Sequence, residues 1–143
     1  MSRIKISADD LQLIKLFEKT TGARVKDCVH GEGAIGFIVA EGDMGLAIGK
    51  NGSKIKKVKD AMKSNIIVVE YSDNESNFLK NIFHPVPVKK LDLTMQDGKK
   101  SAKIQVAKKD RGKAIGEGGV KIKMARIIAE RHHNIAEIIL QTV

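Results

Sequence analysis

The apolar positions of this chain follow helical spacing in some segments and strand-like alternation in others, and the order of these segments occurs twice. Residues 7–22 begin with Ser7 at an N-cap position, continue with apolar residues at helical spacing and end on glycine, which predicts a helix. Residues 73–85 predict a second helix, with Asp73 as its cap. Each helix precedes two strand-like runs around a turn, GEG in the first half and DG in the second, so each half contains a predicted hairpin.

A glycine-rich segment of the first half returns in the second. The sequence GLAIGKNGSKIK at residues 45–56 aligns without gaps with GKAIGEGGVKIK at residues 112–123, which lies 67 residues further on. In both halves a short helix is predicted before the glycines, and a second helix after them leads into a β-branched strand. Because the second and third strands of each half are joined through helices, we expect them to be parallel.

These elements predict an α+β protein with two tandem domains, residues 1–72 and 73–143. Each domain has the order α-β-β-α-α-β, with a three-stranded mixed sheet and helices on one face of that sheet. The connecting sequence SDNESN is too short to act as a flexible tether between the domains.

Two common phosphate-binding motifs do not fit the repeated segment. A Walker A loop requires one more residue than separates Gly45 from Gly49, and the second copy has Glu117 at the position of the lysine. The sequence GEGAIG at residues 31–36 matches the dinucleotide-binding fingerprint, but a strand pattern follows it where that fingerprint requires a helix. We therefore reject both interpretations.

The repeated segment instead contains the GxxG loop typical of KH domains, and it lies between two predicted helices in both copies. Glycines allow a tight turn and let a phosphate approach without a Cβ in the way. Backbone N–H groups and the positive end of the following helix favour an anion at this place. The two loops are Gly49-Lys50-Asn51-Gly52 and Gly116-Glu117-Gly118-Gly119.

The order of the elements and the paired GxxG loops resemble the type II KH fold, and the tandem arrangement is similar to the archaeal NusA transcription factors. The resemblance covers nearly the whole chain and implies a single-stranded RNA-binding protein that acts in transcription termination, antitermination or elongation. It also implies RNA polymerase as a partner, but these 143 residues encode neither the polymerase-binding domain nor the OB-fold domain of bacterial relatives. In a KH module the RNA backbone lies against the GxxG loop, and about four bases lie in a groove beside it.

The residues expected to contact RNA are the loops, the flanking isoleucines and the neighbouring lysines. The isoleucines are equally well explained as core residues, and about half of the lysines as solvated surface charges. The copies are unequal, because Glu117 is negative and only Lys113 and Lys121 partly offset it. The main set is Ile48, Gly49, Lys50, Asn51, Gly52, Lys54, Ile55, Lys57, Lys113, Ile115, Gly116, Glu117, Gly118, Gly119, Lys121 and Ile122, and Lys56, Lys123 and Arg126 are also expected at the rim of the groove.

The composition agrees with a nucleic-acid-binding protein. The formal charge is +9 and the pI about 9.7, while aromatic residues make up only 3%, too few for a base-stacking platform. No apolar run approaches the roughly 18 residues that cross a bilayer, and residues 1–19 do not resemble a signal peptide, so we expect a cytoplasmic protein without membrane contact.

No catalytic set emerges from the sequence, so we expect neither an enzyme nor a cofactor. The four histidines lack metal-ligand spacing with each other or with Cys28, so we also expect no metal site, and the cysteine is interpreted as a small buried hydrophobe. Asp43 and Asp110 are predicted N-caps of the short helices before the loops. Three alternative functions remain: a KH component of the translation machinery, a protein-binding adaptor with vestigial GxxG loops, and a DNA-binding module.

Overall fold

A computed structural model describes residues 6–143 of the chain. The first five residues, at which the predicted first domain begins, lie outside the described residues. The chain divides into two compact units, an N-terminal unit that ends at Tyr71 and a C-terminal unit that comprises Ser72–Val143.

The N-terminal unit has the predicted order of elements. β1 and β2 are antiparallel, β2 and β3 are parallel, and the sheet order is β1-β2-β3. The predicted α+β class and the parallel pairing of the second and third strands are therefore confirmed. The elements are α1 (Ala8–Thr21), β1 (Val25–Gly31), β2 (Ala34–Val39), α2 (Met44–Ile48), α3 (Ser53–Met62) and β3 (Ile66–Glu70).

Helix α1 forms for the reasons that its sequence predicts. The Ser7 side chain accepts a hydrogen bond from the Asp10 N–H at 3.1 Å, and Gly22 ends the helix in the left-handed region at φ 83°. Phe17 of α1 stacks on Phe37 of β2, with ring centroids 4.4 Å apart, and both rings are fully buried. Their burial holds α1 against the sheet.

The C-terminal unit repeats this architecture. β4 and β5 form an antiparallel hairpin, β6 pairs with β5 in parallel, and β6 lies at the edge of the sheet. Its elements are α4 (Glu75–Phe83), β4 (Val88–Gln96), β5 (Lys99–Val106), α5 (Arg111–Ile115), α6 (Val120–His133) and β6 (Ile135–Thr142). In each unit a single 3₁₀ turn fills the GxxG loop between the two helices.

The cap of α4 differs from the prediction. Asn74 occupies the N-cap position, and its side chain accepts a hydrogen bond from the Asn77 N–H at 2.8 Å. An N-cap side chain reaches the N–H two or three residues further on, so Asp73 lies one residue too early for this contact. The predicted cap at Asp73 was therefore wrong by one position.

The helices of the C-terminal unit cover one face of its sheet, as predicted. Ala102, Ile104 and Val106 alternate along β5 and are fully buried, whereas Lys103 between them is exposed. This alternation is typical of an antiparallel hairpin with one covered face. None of the helices in residues 6–143 has the length and the apolar character that a bilayer crossing requires.

Candidate nucleic-acid interface

The first glycine of each GxxG loop has a backbone conformation that only glycine adopts readily. Gly49 has φ 76° and ψ 172°, and Gly116 has φ 80° and ψ 163°. A Cβ on Gly49 would lie 2.9 Å from the backbone nitrogen of Lys54, and one on Gly116 would lie 2.8 Å from that of Lys121. The chain therefore requires these glycines for the turn itself.

The remaining loop residues also have matching conformations in the two copies. Asn51 and Gly118 have φ values of 55° and 66°, and asparagine is one of the few residues that tolerates this left-handed region. The last loop glycine, Gly52 or Gly119, donates its N–H to the carbonyl oxygen of the first glycine at 3.1 or 3.0 Å. The two loops thus have the same backbone shape despite different middle residues.

Each loop leads directly into the N-terminus of a helix. Gly52 is the N-cap residue of α3 and Gly119 that of α6, and neither provides a side-chain cap. The Ser53 and Val120 N–H groups donate to the Lys50 and Glu117 carbonyl oxygens, which leaves the next N–H groups of the first turn for an external anion, and the helix dipole favours one there. This arrangement can hold a phosphate group.

The N-terminal loop adds positive charge to this helix end. Lys50 lies exposed within the loop, and Lys54 lies half-buried in the first turn of α3. The Lys54 side chain makes no hydrogen bond or ion pair with any other residue of the described part of the chain. Its ammonium group is therefore available for a phosphate.

The C-terminal loop differs in both of these positions. Glu117 replaces the first lysine, and Lys121, the counterpart of Lys54, is already engaged within its own unit. The Lys121 Nζ donates hydrogen bonds to the carbonyl oxygens of Phe83 at 3.3 Å and His84 at 3.1 Å, at the C-terminal end of α4. Burial lowers the pKa of Lys121. Lys121 was predicted to offset part of the negative charge of Glu117. Its hydrogen bonds to the end of α4 give it a structural role as well, and the two roles compete for the same ammonium group.

Positive charge in the C-terminal unit lies instead in a groove beside the loop. The groove has a volume of about 530 Å³ and is bounded by α5, α6 and the edge strand β6. Ile115 and Ile122 form part of its apolar wall, Arg111 and Arg126 bring two positive charges, and Glu137 contributes a carboxylate. Such a groove provides apolar surface for a base and cations for its backbone.

The short helix before the N-terminal loop is anchored by Asp43. This residue precedes α2, as predicted, but its carboxylate makes no capping bond to that helix. Asp43 Oδ2 instead accepts hydrogen bonds from the Arg24 backbone N–H at 2.9 Å and from its Nε at 3.4 Å. The backbone hydrogen bond is the main reason why the pKa of Asp43 lies below its ordinary value. Asp110 likewise makes no side-chain capping bond, so both residues occupy the predicted N-cap positions but neither caps its helix through its side chain.

The other predicted contact residues are distributed around these two loops. Lys57 and Lys113 are exposed, Ile48 and Ile115 are half-buried, and Ile122 is buried with 8% of its surface accessible. Ile55 is half-buried and packs against the core of the N-terminal unit, in agreement with the alternative reading of the isoleucines as core residues.

The sequence prediction missed Arg111 as a groove residue. In the gapless alignment of the two copies Arg111 falls on Met44, so it is a charge that only the second copy carries. The replacement of Met44 by a positively charged residue in the second copy was the signal in the sequence that could have identified Arg111.

The structure also brings together three possible metal ligands that are not all close in sequence. The ligand atoms of Asp10, Cys28 and His30 all lie within 4.8 Å of one another. Cys28 and His30 are two positions apart on β1 and therefore point to the same face, toward α1 and Asp10. Sequence spacing alone predicted no metal site, because it did not place Asp10 beside Cys28 and His30.

The fold and the two loops define a KH-domain protein, and comparison with known families agrees. The family model described as "KH domain" matches residues 13–93, more than half of the chain. A solved structure, described as the crystal structure of APE1850, superposes with a TM-score of 0.79 at 33% identity, over 95% of this chain and 100% of that one.

Curated relatives narrow this assignment. Proteins named "Probable transcription termination protein NusA" match over nearly the whole chain. The relative from Methanococcus vannielii is 36% identical over 95% of this chain and 79% of its own length, and that from Methanocaldococcus jannaschii is 31% identical over 96% and 75%. The relative from Halobacterium salinarum is 32% identical over 94% of this chain and 96% of its own length. The chain belongs to this archaeal NusA family.

Proposed function

We propose that this protein is a cytoplasmic factor that binds single-stranded RNA and acts on transcription, with the RNA backbone held at the GxxG loops. The observation that supports it most directly is the N-terminal loop. There the start of α3, which has no side-chain cap, lies within five consecutive residues that begin with Lys50 and end with Lys54. The names of the relatives supply the process, transcription termination. A binding module, rather than an enzyme, is the activity that this geometry supports.

In this proposal the two units make different contributions. The N-terminal loop holds a phosphate through its lysines and the N–H groups of α3. The C-terminal unit contributes mainly its groove, where Arg111 and Arg126 lie beside the apolar wall. The acidic Glu117 and the engaged Lys121 make the second loop the weaker phosphate site.

The proposal predicts that binding depends strongly on salt. If about three phosphates are neutralised, log affinity should fall with a slope of about −2 against log salt, which is roughly a 20-fold loss between about 50 and 200 mM. Fluorescence anisotropy with a labelled single-stranded RNA measures this slope. The same titration with DNA of identical sequence tests the DNA-binding alternative, because the 2′-hydroxyl distinguishes the two ligands. RNA affinity that does not change with salt would contradict a backbone clamp.

The different engagement of the two matched lysines gives a second prediction. Lys54→Ala should lower RNA affinity about tenfold or more, since a charge-assisted hydrogen bond contributes about 1.5–3 kcal/mol. Lys121→Ala should lower affinity by about twofold at most, because its ammonium already bonds two carbonyl oxygens.

Measuring stability distinguishes the RNA-binding role proposed for Lys54 from the structural role of Lys121. Lys121→Ala, unlike Lys54→Ala, removes a donor from the carbonyl end of α4 and should reduce the unfolding midpoint measured by circular dichroism. Equal losses of RNA affinity in the two folded variants would mean that the loops contribute equally.

A further inference from the structure

We propose that Asp10, Cys28 and His30 form a binding site for a zinc ion or a similar divalent transition metal. Thiolate, imidazole and carboxylate are the three side-chain ligands that zinc uses in proteins, and all three are present within 4.8 Å. Magnesium and calcium prefer oxygen ligands alone, so this donor set favours a softer ion. The site lies in the N-terminal unit and does not depend on RNA binding.

The secondary structure fixes the three donors on one small surface. Cys28 and His30 project from the same face of the edge strand β1, opposite Phe37 and Ile35 of β2. Asp10 approaches from the first turn of α1, whose position is held by the Ser7 cap. Two ligands from a strand and one from a packed helix give a site on rigid elements.

The burial of the donors fits a site with one open position. Cys28 is buried with 3% of its surface accessible, and the Asp10 side chain is 20% accessible, whereas the His30 side chain is 54% accessible. The thiolate would therefore lie on the protein side of the ion and the imidazole on the solvent side. Three protein ligands leave the fourth tetrahedral position to water.

The distances require a small adjustment. The Nε2 atom of His30 and a carboxylate oxygen of Asp10 are in direct hydrogen-bond contact without the metal. Around a tetrahedral zinc ion, ligand atoms lie about 3.4–3.6 Å apart, given metal–ligand distances of about 2.0–2.3 Å. A rotation of the exposed His30 ring would open this contact, and any pair of ligand atoms near the 4.8 Å limit would have to close by about 1.2 Å. Binding replaces the thiol proton of Cys28, which is released to solvent.

Cobalt(II) is the most direct probe, because Cys28 is the only cysteine among the 143 residues. A thiolate-to-cobalt charge-transfer band can therefore arise from this site alone. We expect the band to saturate at one cobalt ion per chain and to disappear when zinc is added. A stoichiometry and midpoint that are independent of dilution distinguish a site within one chain from a thiolate shared between two chains.

The variants test the geometry without relying on the buried cysteine. His30→Gln and Asp10→Asn should each lower cobalt affinity at least about tenfold, while the folded state, checked by circular dichroism, is retained. His84→Gln is the matched control, because His84 is an exposed histidine of the C-terminal unit, and its affinity should not change. Absence of the charge-transfer band, or an unchanged affinity in His30→Gln, would overturn the proposal and leave the group as a simple ion pair beside a core cysteine.

Discussion

Replacing Lys50 and Asn51 together by aspartate is expected to weaken binding to single-stranded RNA by about 100-fold, or about 2.7 kcal/mol. The change removes one positive charge and introduces two negative ones at the end of α3 that is proposed to hold a phosphate. Gly49 and Gly52 keep the turn, and aspartate, like asparagine, tolerates the left-handed conformation at position 51, where φ is 55°. Anisotropy titration at fixed salt measures the loss.

The matched control is the same substitution in the second loop. Glu117→Asp with Gly118→Asp adds one negative charge to a loop that is already acidic, so we expect a loss of about threefold or less. Gly118 has φ 66°, close to that of Asn51, and a Cβ there would meet no atom within 4 Å, so the control should fold. If the first-loop variant is folded and binds RNA as well as the unmodified protein, the loop is not the RNA site, and the adaptor function becomes the better explanation.

Gly49→Ala is expected to destabilise the protein by about 3 kcal/mol. The conformation of Gly49, φ 76° and ψ 172°, is strained for any residue with a Cβ, which amounts to about 1–3 kcal/mol. The added methyl group would also lie 2.9 Å from the Lys54 nitrogen, so the backbone at the start of α3 must move. Urea unfolding followed by circular dichroism measures this loss of stability.

Gly52→Ala provides the comparison within the same loop. Its Cβ would lie 3.8 Å from the nearest Ile55 atom, an ordinary van der Waals contact, so only the left-handed conformation at φ 73° is unfavourable. We expect a loss of about 1 kcal/mol. Equal losses at positions 49 and 52 would show that the close approach to Lys54 is not the determining factor.

Local signals in the sequence predicted most of the fold. The Ser7 cap, the Gly22 stop and the two hairpin turns involve residues that are close in sequence, and the internal repeat doubled each signal. The Asp73 prediction failed because Asp73 and Asn74 are adjacent candidates whose capping geometry differs by one residue. Asp43 occupies its predicted N-cap position, but its carboxylate makes no capping bond because it accepts two hydrogen bonds from Arg24, 19 positions away.

The chemistry around the second loop was less predictable. The alignment of the copies identified Glu117 and the lysine at position 121, but not the partners of that lysine. The bonds of Lys121 reach carbonyl groups 37 and 38 positions away, and no local pattern encodes such a contact. The grouping of Asp10 with His30 was hidden for the same reason, because 20 positions separate them and only the packing of α1 on β1 brings them together.

The common backbone of the two GxxG loops has an evolutionary consequence. The outer glycines and a residue that tolerates positive φ at the third position determine the turn, so the second position, Lys50 or Glu117, does not have to preserve the fold. After duplication of an ancestral unit, one copy could keep its charge while the other changed sign, without passing through an unfolded intermediate sequence. Selection for ligand binding could thus change the charge of each loop separately while both units kept the same fold.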